Sequence, residues 1–255
     1  MPIGGGSFTV QNKVLPGAYI NFVSMGTNAK MGERGVAALP LELNWGPEGQ
    51  VFKLDAADFN ATSMKVFGYD PTDANILLVR EAMKRAKTLL IYRVNGGGTK
   101  ASATVGGMTV TAKYGGTRGN AIKVAVITNV DDATKADVVT YLDDMVMDSQ
   151  TVAKSGGAAS LVANDFVTFG TVATLAAATA TPLTGGANAT VNAAKHTAAL
   201  TAFEVETFNV IGYPGTVEDI KSLYAAFVKR LRDDEGKKIV GVLYGYKGDN
   251  IGLIN

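Results

Sequence analysis

The chain has 255 residues, 47% of them hydrophobic and only 18% charged, against about 25% charged in ordinary soluble domains. That length allows one or two domains with sizeable cores, under a surface filled by Ala, Thr, Gly and Asn that suits assembly. Twenty-four Lys and Arg against 23 Asp and Glu leave a net charge of +1, without the basic excess that neutralising nucleic-acid phosphates requires. The absence of cysteine and the single histidine exclude disulfides, thiolate metal sites, cysteine nucleophiles and His-rich metal centres.

Met1 to Gly6 carry no cation and no apolar run, so the start does not read as a secretory signal. The best apolar runs, Ile76–Val79 and Leu89–Tyr92, fall far short of the roughly 18 residues of a membrane span. The expectation is a soluble chain made in the cytoplasm. Residues 1–21 read as an extended arm: Gly4, Gly5 and Gly6 form a hinge, and apolar Phe8, Val10, Val14 and Tyr19 follow with little helical period. Such a segment cannot bury much against itself and orders by docking on something else.

Residues 22–96 read as an α/β body. Val36 to Leu43 is a strand candidate, with Pro40 arguing for an edge or a bulge, and Gln50 to Leu54 is a second. Asp70 to Asp73 makes a turn with a helix cap, after which Ile76, Val79, Met83 and Ala86 recur on one helical face. Arg80, Lys84, Arg85 and Lys87 lie on its other faces, read as solvated. Thr88 to Val94 (TLLIYRV) is a strand buried on both sides.

Residues 97–186 change to Thr, Ala, Gly and Val with period-two segments at Met108–Ala112, Lys123–Thr128 and Phe166–Val172. This is an all-β pattern of short strands, preferred to a helix over Ala136–Met147. Gly96–Gly98 before it and Gly185–Gly186 after it predict an inserted, independently folding domain joined through flexible glycine hinges.

Residues 187–255 return to α/β alternation: an Ala-rich helix from Thr190 to Glu204, a strand at Phe208–Gly212, and a helix capped by Thr216. That helix carries Ile220, Leu223, Tyr224, Phe227, Val228 and Leu231 on one face, is stopped by Gly236 and precedes a strand at Ile239–Tyr244. Two strands joined by a helix imply a parallel pair. The apolar ending Ile251–Asn255 reads as a chain cut short. The fold class is therefore mixed α/β (α+β): an arm, an α/β body interrupted by an inserted β domain, and the start of a C-terminal α/β domain.

No catalytic constellation emerges, and no catalytic, cofactor-binding or metal residue is assigned. His196 lies within the Ala-rich helix without an orienting carboxylate in sequence and reads as a surface or interface residue. The acidic pairs Asp131–Asp132 and Asp143–Asp144, and Asp233–Glu235, fall in turns or at a helix end. Gly96, Gly98 and Ala101 fit G-x-G-x-x-A after a strand, but a β pattern follows where a dinucleotide site requires a helix N-terminus. Gly236-Lys237 lacks the Ser or Thr of a P-loop. Two alternatives stay open: an α/β enzyme whose acid–base pair, built on His196 or a buried carboxylate, is made only in the fold, and a monomeric binding or adhesion module using the β insertion.

Six blocks in order, KVLPGAYINF at 13–22, RGVAALPLELNWGP at 34–47, LIYRVNGG at 90–97, YGGTRGNAIKV at 114–124, LTGGA at 183–187 and FNVIGYPG at 208–215, resemble the contractile tail sheath proteins of myophages. Sheaths of Gram-positive prophages and phage tail-like particles show the resemblance best. It implies a non-enzymatic subunit without cofactors, stacked with copies of itself as rings around a tail tube protein, between baseplate and tail terminator proteins, and contracting by rigid-body rearrangement. It also implies that terminal arms add strands to neighbouring C-terminal domains, placing Phe8, Val10 and Val14 in a linking strand. Members of that family continue past the point where this chain stops, which implies an engineered or proteolytic fragment.

Overall fold

A computed structural model describes residues 35–248 and 250–255; the arm expected over residues 1–21, with Gly4, Gly5, Gly6, Phe8, Val10, Val14 and Tyr19, lies outside them. In chain order the body contributes β1 (Val36–Leu41), β2 (Val51–Asp55), α1 (Phe59–Phe67), α2 (Leu77–Met83) and β3 (Thr88–Arg93). Then come β4 (Ser102–Val105), β5 (Met108–Ala112), β6 (Ile122–Thr128), β7 (Lys135–Leu142), β8 (Met145–Ala153), β9 (Val167–Phe169) and β10 (Ala178–Pro182). The last part holds α3 (Ala193–Glu204), β11 (Val210–Tyr213), α4 (Glu218–Asp233), β12 (Val240–Leu243) and β13 (Leu253–Ile254).

One six-stranded sheet, in the order β13-β12-β11-β1-β3-β2, unites the first and last parts. All its pairings are parallel except β2 with β3. Period two along β3 sends Leu90 and Tyr92 to one layer and Leu89 and Ile91 to the other, as a strand buried on both faces requires. Over Leu90 and Tyr92 lie Leu200 and Phe203 of α3 and Tyr224, Phe227, Val228 and Leu231 of α4. On the opposite face Leu89 and Ile91 meet Phe59 and Phe67 of α1 and Val79 and Met83 of α2. Burying each such side chain contributes about 1.5–3 kcal/mol.

The middle of the chain forms two antiparallel sheets, β10-β6-β7-β8 and β4-β5-β9, closed on a shared core of Val105, Met108, Val110, Ile122, Val124, Val138 and Leu142. Two-residue turns with positive φ join the hairpins: Gly106–Gly107 between β4 and β5, and Asp143–Asp144 between β7 and β8, the geometry that matches strand twist.

Several expectations need correction. Pro40 sits in β1 at the centre of the sheet, not at an edge: β1 pairs with β3 along its length but with β11 only at Ala37 and Ala38, so the missing N–H falls beyond that ladder. The helix over 76–86 is a 3-10 turn, Ala74–Ile76, capped by the Asp73 carboxylate, running into the seven-residue α2. Thr216 does not cap α4; its N-cap is Val217, without a side-chain bond, and Glu218 and Asp219 in the first turn face the positive end of the helix dipole instead. α1 was not anticipated: its buried residues, Phe59, Ser63 and Phe67, make too narrow an apolar stripe.

Candidate assembly surface

Three connections converge where the sandwich leaves and rejoins the body. The Arg93 side chain, 1% exposed, donates from Nε to Asn95 Oδ1, from Nη1 to the Gly46 carbonyl and from Nη2 to Asn188 Oδ1, each at 3.2 Å. Asn95 Oδ1 also accepts from the Leu43 amide, and Asn188 Nδ2 donates to Asn44 Oδ1 at 2.8 Å. Burial disfavours the Arg93 charge and the nearby Glu48 carboxylate supports it. That carboxylate accepts from the Gly97 and Gly115 amides. Trp45, from the β1–β2 connection, is 1% exposed and belongs to the sandwich core, edge-on to Tyr114 at 5.3 Å and stacked near Phe166 at 6.4 Å.

Several glycines here sit at close backbone contacts. A Cβ on Gly98 would strike the Ala187 carbonyl, one on Gly115 the Gly98 carbonyl, and one on Gly186 the Gly116 carbonyl at 2.5 Å; they are glycines because backbones touch. Outside this knot, Arg118 of the sandwich donates to the Gly68 carbonyl at 2.7 Å, lies over the Tyr69 ring at 4.3 Å and pairs with Asp143.

The sheet edges differ. Among the described residues no strand pairs with the outer edge of β2 or of β13. Along β8, the outer strand of the four-stranded sheet, the Gln150 amide takes both backbone groups of Val162: its Oε1 accepts from the Val162 N–H at 2.9 Å and its Nε2 donates to the Val162 carbonyl at 2.8 Å.

Groups considered for chemistry find structural partners. His196 is buried in the core, 5% exposed, correcting its placement at the surface. Its Nδ1 lies 3.1 Å from Tyr224 Oη, and Tyr213 stacks on Tyr224 at 5.1 Å. Burial pushes the His196 imidazole down and the Tyr224 phenol up, so the pair is a neutral hydrogen bond. Among the described residues no carboxylate is buried and no three His, Asp or Glu side chains cluster to hold a metal. No described helix is long and apolar enough to cross a membrane. Asp143 and Asp144 pair with Arg118 and Lys123, Asp132 receives the Thr134 amide and hydroxyl, and Glu235 bridges Arg230 and Lys237. After Gly96–Gly98 the chain enters β4, not a helix.

Three family models match in succession: the tail sheath protein Gp18 domain III N-terminal region over 34–94, the phage tail sheath protein beta-sandwich domain over 96–188, and the phage tail sheath protein central domain over 189–255. The chain belongs to the phage tail sheath protein family. Among relatives of this sheath chain in Bacillus subtilis (strain 168), protein YqbK is 40% identical and the phage-like element PBSX protein XkdK 38% identical, each over 99% of this chain and 58% of the relative. The crystal structure of a sheath tail protein from Desulfitobacterium hafniense matches 93% of this chain and 55% of its own at a TM-score of 0.81 and 44% identity. One from Listeria innocua matches 89% and 51% at 0.77 and 38%. The sheath chain thus spans little more than half the length of these relatives. The model boundaries at 94/96 and 188/189 fall on Asn95 and Asn188, two partners of Arg93.

The predicted linking residues Phe8, Val10, Val14 and Tyr19 and the hinge Gly4–Gly6 lie outside the described residues. Sequence reading missed Arg93, Asn95, Asn188 and Trp45. One signal was available: Arg93 closes the run TLLIYR, and a cation in a strand buried on both faces requires dedicated partners.

Proposed function

We propose that this chain is part of the structural subunit of a contractile tail sheath. The subunit polymerises with copies of itself around a tail tube protein, between baseplate and tail terminator proteins, and contracts to drive the tube through a cell envelope. It acts without cofactor or catalysis, assembles in the bacterial cytoplasm and resides in a virion tail or phage tail-like particle. The reading divides the chain into an arm (1–21), a body (22–96), an inserted β domain (97–186) and the start of a C-terminal domain (187–255).

The observation that carries this reading is the body sheet of a sheath-family chain, whose outer strands β2 and β13 have no strand partner among the described residues. An arm with apolar Phe8 and Val10 behind Gly4–Gly6 supplies backbone hydrogen bonds and alternate side chains to such an edge in a neighbour. Contraction then needs only two lattices of different contact energy with a barrier between them.

The test uses the full-length protein with Phe8→Asp and Val10→Asp together. An unpaired charge in a buried contact costs several kcal/mol, repeated at every neighbour, so striated tubes seen by negative-stain imaging should disappear while the thermal midpoint of the free subunit stays within a few degrees. Normal tubes from the double variant, or a strongly destabilised subunit, would refute the linking role of the arm.

A further inference from the structure

We infer that the β-sandwich is clamped to the body rather than hinged on it, with Arg93 at the centre of the clamp, so that the two turn as one rigid piece in whatever assembly the chain enters. The inference goes beyond the sheath reading and does not depend on it.

A hinge needs residues with room to change φ and ψ and few contacts across them. Gly97 and Gly185 have room beside Cα, but the residues around them make many contacts across the junction. The chain out of the body at Thr99 bonds both the Gly116 and the Ala187 amides, at 3.1 and 3.0 Å, and the Asn95 carbonyl receives the Ala189 amide at 3.2 Å. Gly98, Gly115, Gly116 and Gly186 are packed backbone to backbone, so rotation about them collides with the backbone of a neighbouring connection. Arg93 fixes what these contacts leave free. Its planar fork holds Gly46 of the β1–β2 connection, Asn95 of the outgoing chain and Asn188 of the returning chain. A guanidinium offers its donors in a rigid geometry, and its charge, buried without a hydrogen-bonded carboxylate, becomes costly as soon as those acceptors move away. Trp45 adds a second tie, a body side chain in the sandwich core, and Lys65 of α1 adds a weaker one at the surface through Asp165 at 3.0 Å.

Hydrogen exchange of the unmodified protein, read by mass spectrometry on peptides covering 95–101 and 184–190, decides between clamp and hinge. A clamp makes these segments exchange as slowly as β6 and β7; a hinge makes them exchange fast while β6 and β7 stay protected, and that pattern would overturn the inference. Arg93→Met and the milder Asn188→Ala then ask whether Arg93 is the centre. Both should speed proteolytic cutting at 95–99 and 184–190 at least about tenfold, the change that 1.4 kcal/mol of opening free energy produces. Fluorescence of Trp45, the one tryptophan in the sequence, should then change before far-UV circular dichroism on heating, whereas the unmodified protein should show coincident transitions. If Arg93→Met does not fold, Asn188→Ala carries the test, since it removes one acceptor and leaves the arginine two. Unmodified cutting rates and coincident transitions in Asn188→Ala would remove Arg93 from its role.

Discussion

In the body, α3 and α4 meet the sheet through Phe203, Phe208, Tyr213, Tyr224, Phe227 and Leu231, and α1 and α2 through Phe59, Phe67, Ile76 and Met83; large side chains close both layers from within. The sandwich closes mainly on Ala, Val, Leu and Ile, and its largest core side chain, Trp45, comes from the body. Dependence between the two regions is therefore unequal. The body owns two complete cores, whereas the sandwich is complete only when a body connection reaches into it.

The largest effect separates the regions outright. Residues 96–188 produced alone should lack a cooperative thermal transition, whereas a chain joining Asn95 to Ala187 through a short linker should keep one; a sharp transition in the isolated sandwich would erase the asymmetry. Next comes Trp45→Ala, which should cost about 3–5 kcal/mol, the range for large aromatic truncations in packed cores, measured by urea unfolding. A loss below about 1 kcal/mol would mean that the sandwich closes without the indole.

A pH titration sharpens the body side. His196 has its folded pKa depressed by burial, so the unfolded chain binds the proton first as pH falls below about 6.5. Stability contributed by the neutral ring is complete above that value and is lost as pH drops towards the folded pKa, with a slope of at most about 1.4 kcal/mol per pH unit. His196→Phe should flatten this part of the curve; an unchanged slope would assign it to other groups. The smallest effect is Asn192→Ala, which removes the side-chain bond to the Lys195 amide at the start of α3 and should cost about 1 kcal/mol, read as a small fall in the urea midpoint.

The same contrast explains what the sequence could disclose. α4 was legible because Ile220, Tyr224, Phe227, Val228 and Leu231 repeat at helical spacing and all are buried. β5 and β6 were legible because Met108, Val110 and Ala112, and Ile122, Val124 and Val126, alternate into one core. His196 was misplaced because the Ala-rich α3 has almost no polar contrast between its faces. The junction was illegible for another reason: Arg93 and Asn188 are 95 residues apart, and no local period encodes so distant a pairing. The glycines gave their positions but not their cause, since a glycine admitting a neighbouring backbone looks the same in sequence as one that bends. The candidate linking residues were read from the apolar pattern of the arm and from the family resemblance, and they lie outside the described residues.

Gln150 carries a consequence for the connection that leads into β9. Its amide saturates both backbone groups of Val162, the pairing that a ladder would otherwise supply to an extended segment, and Asn164 of the same connection donates to Thr140 of β7 and Asp148 of β8. The link between the two sheets of the sandwich is thereby sewn down by side chains, so it can lift without unzipping either sheet. Gln150→Ala would show its cost as faster exchange of the Val162 amide rather than as a fall in the urea midpoint.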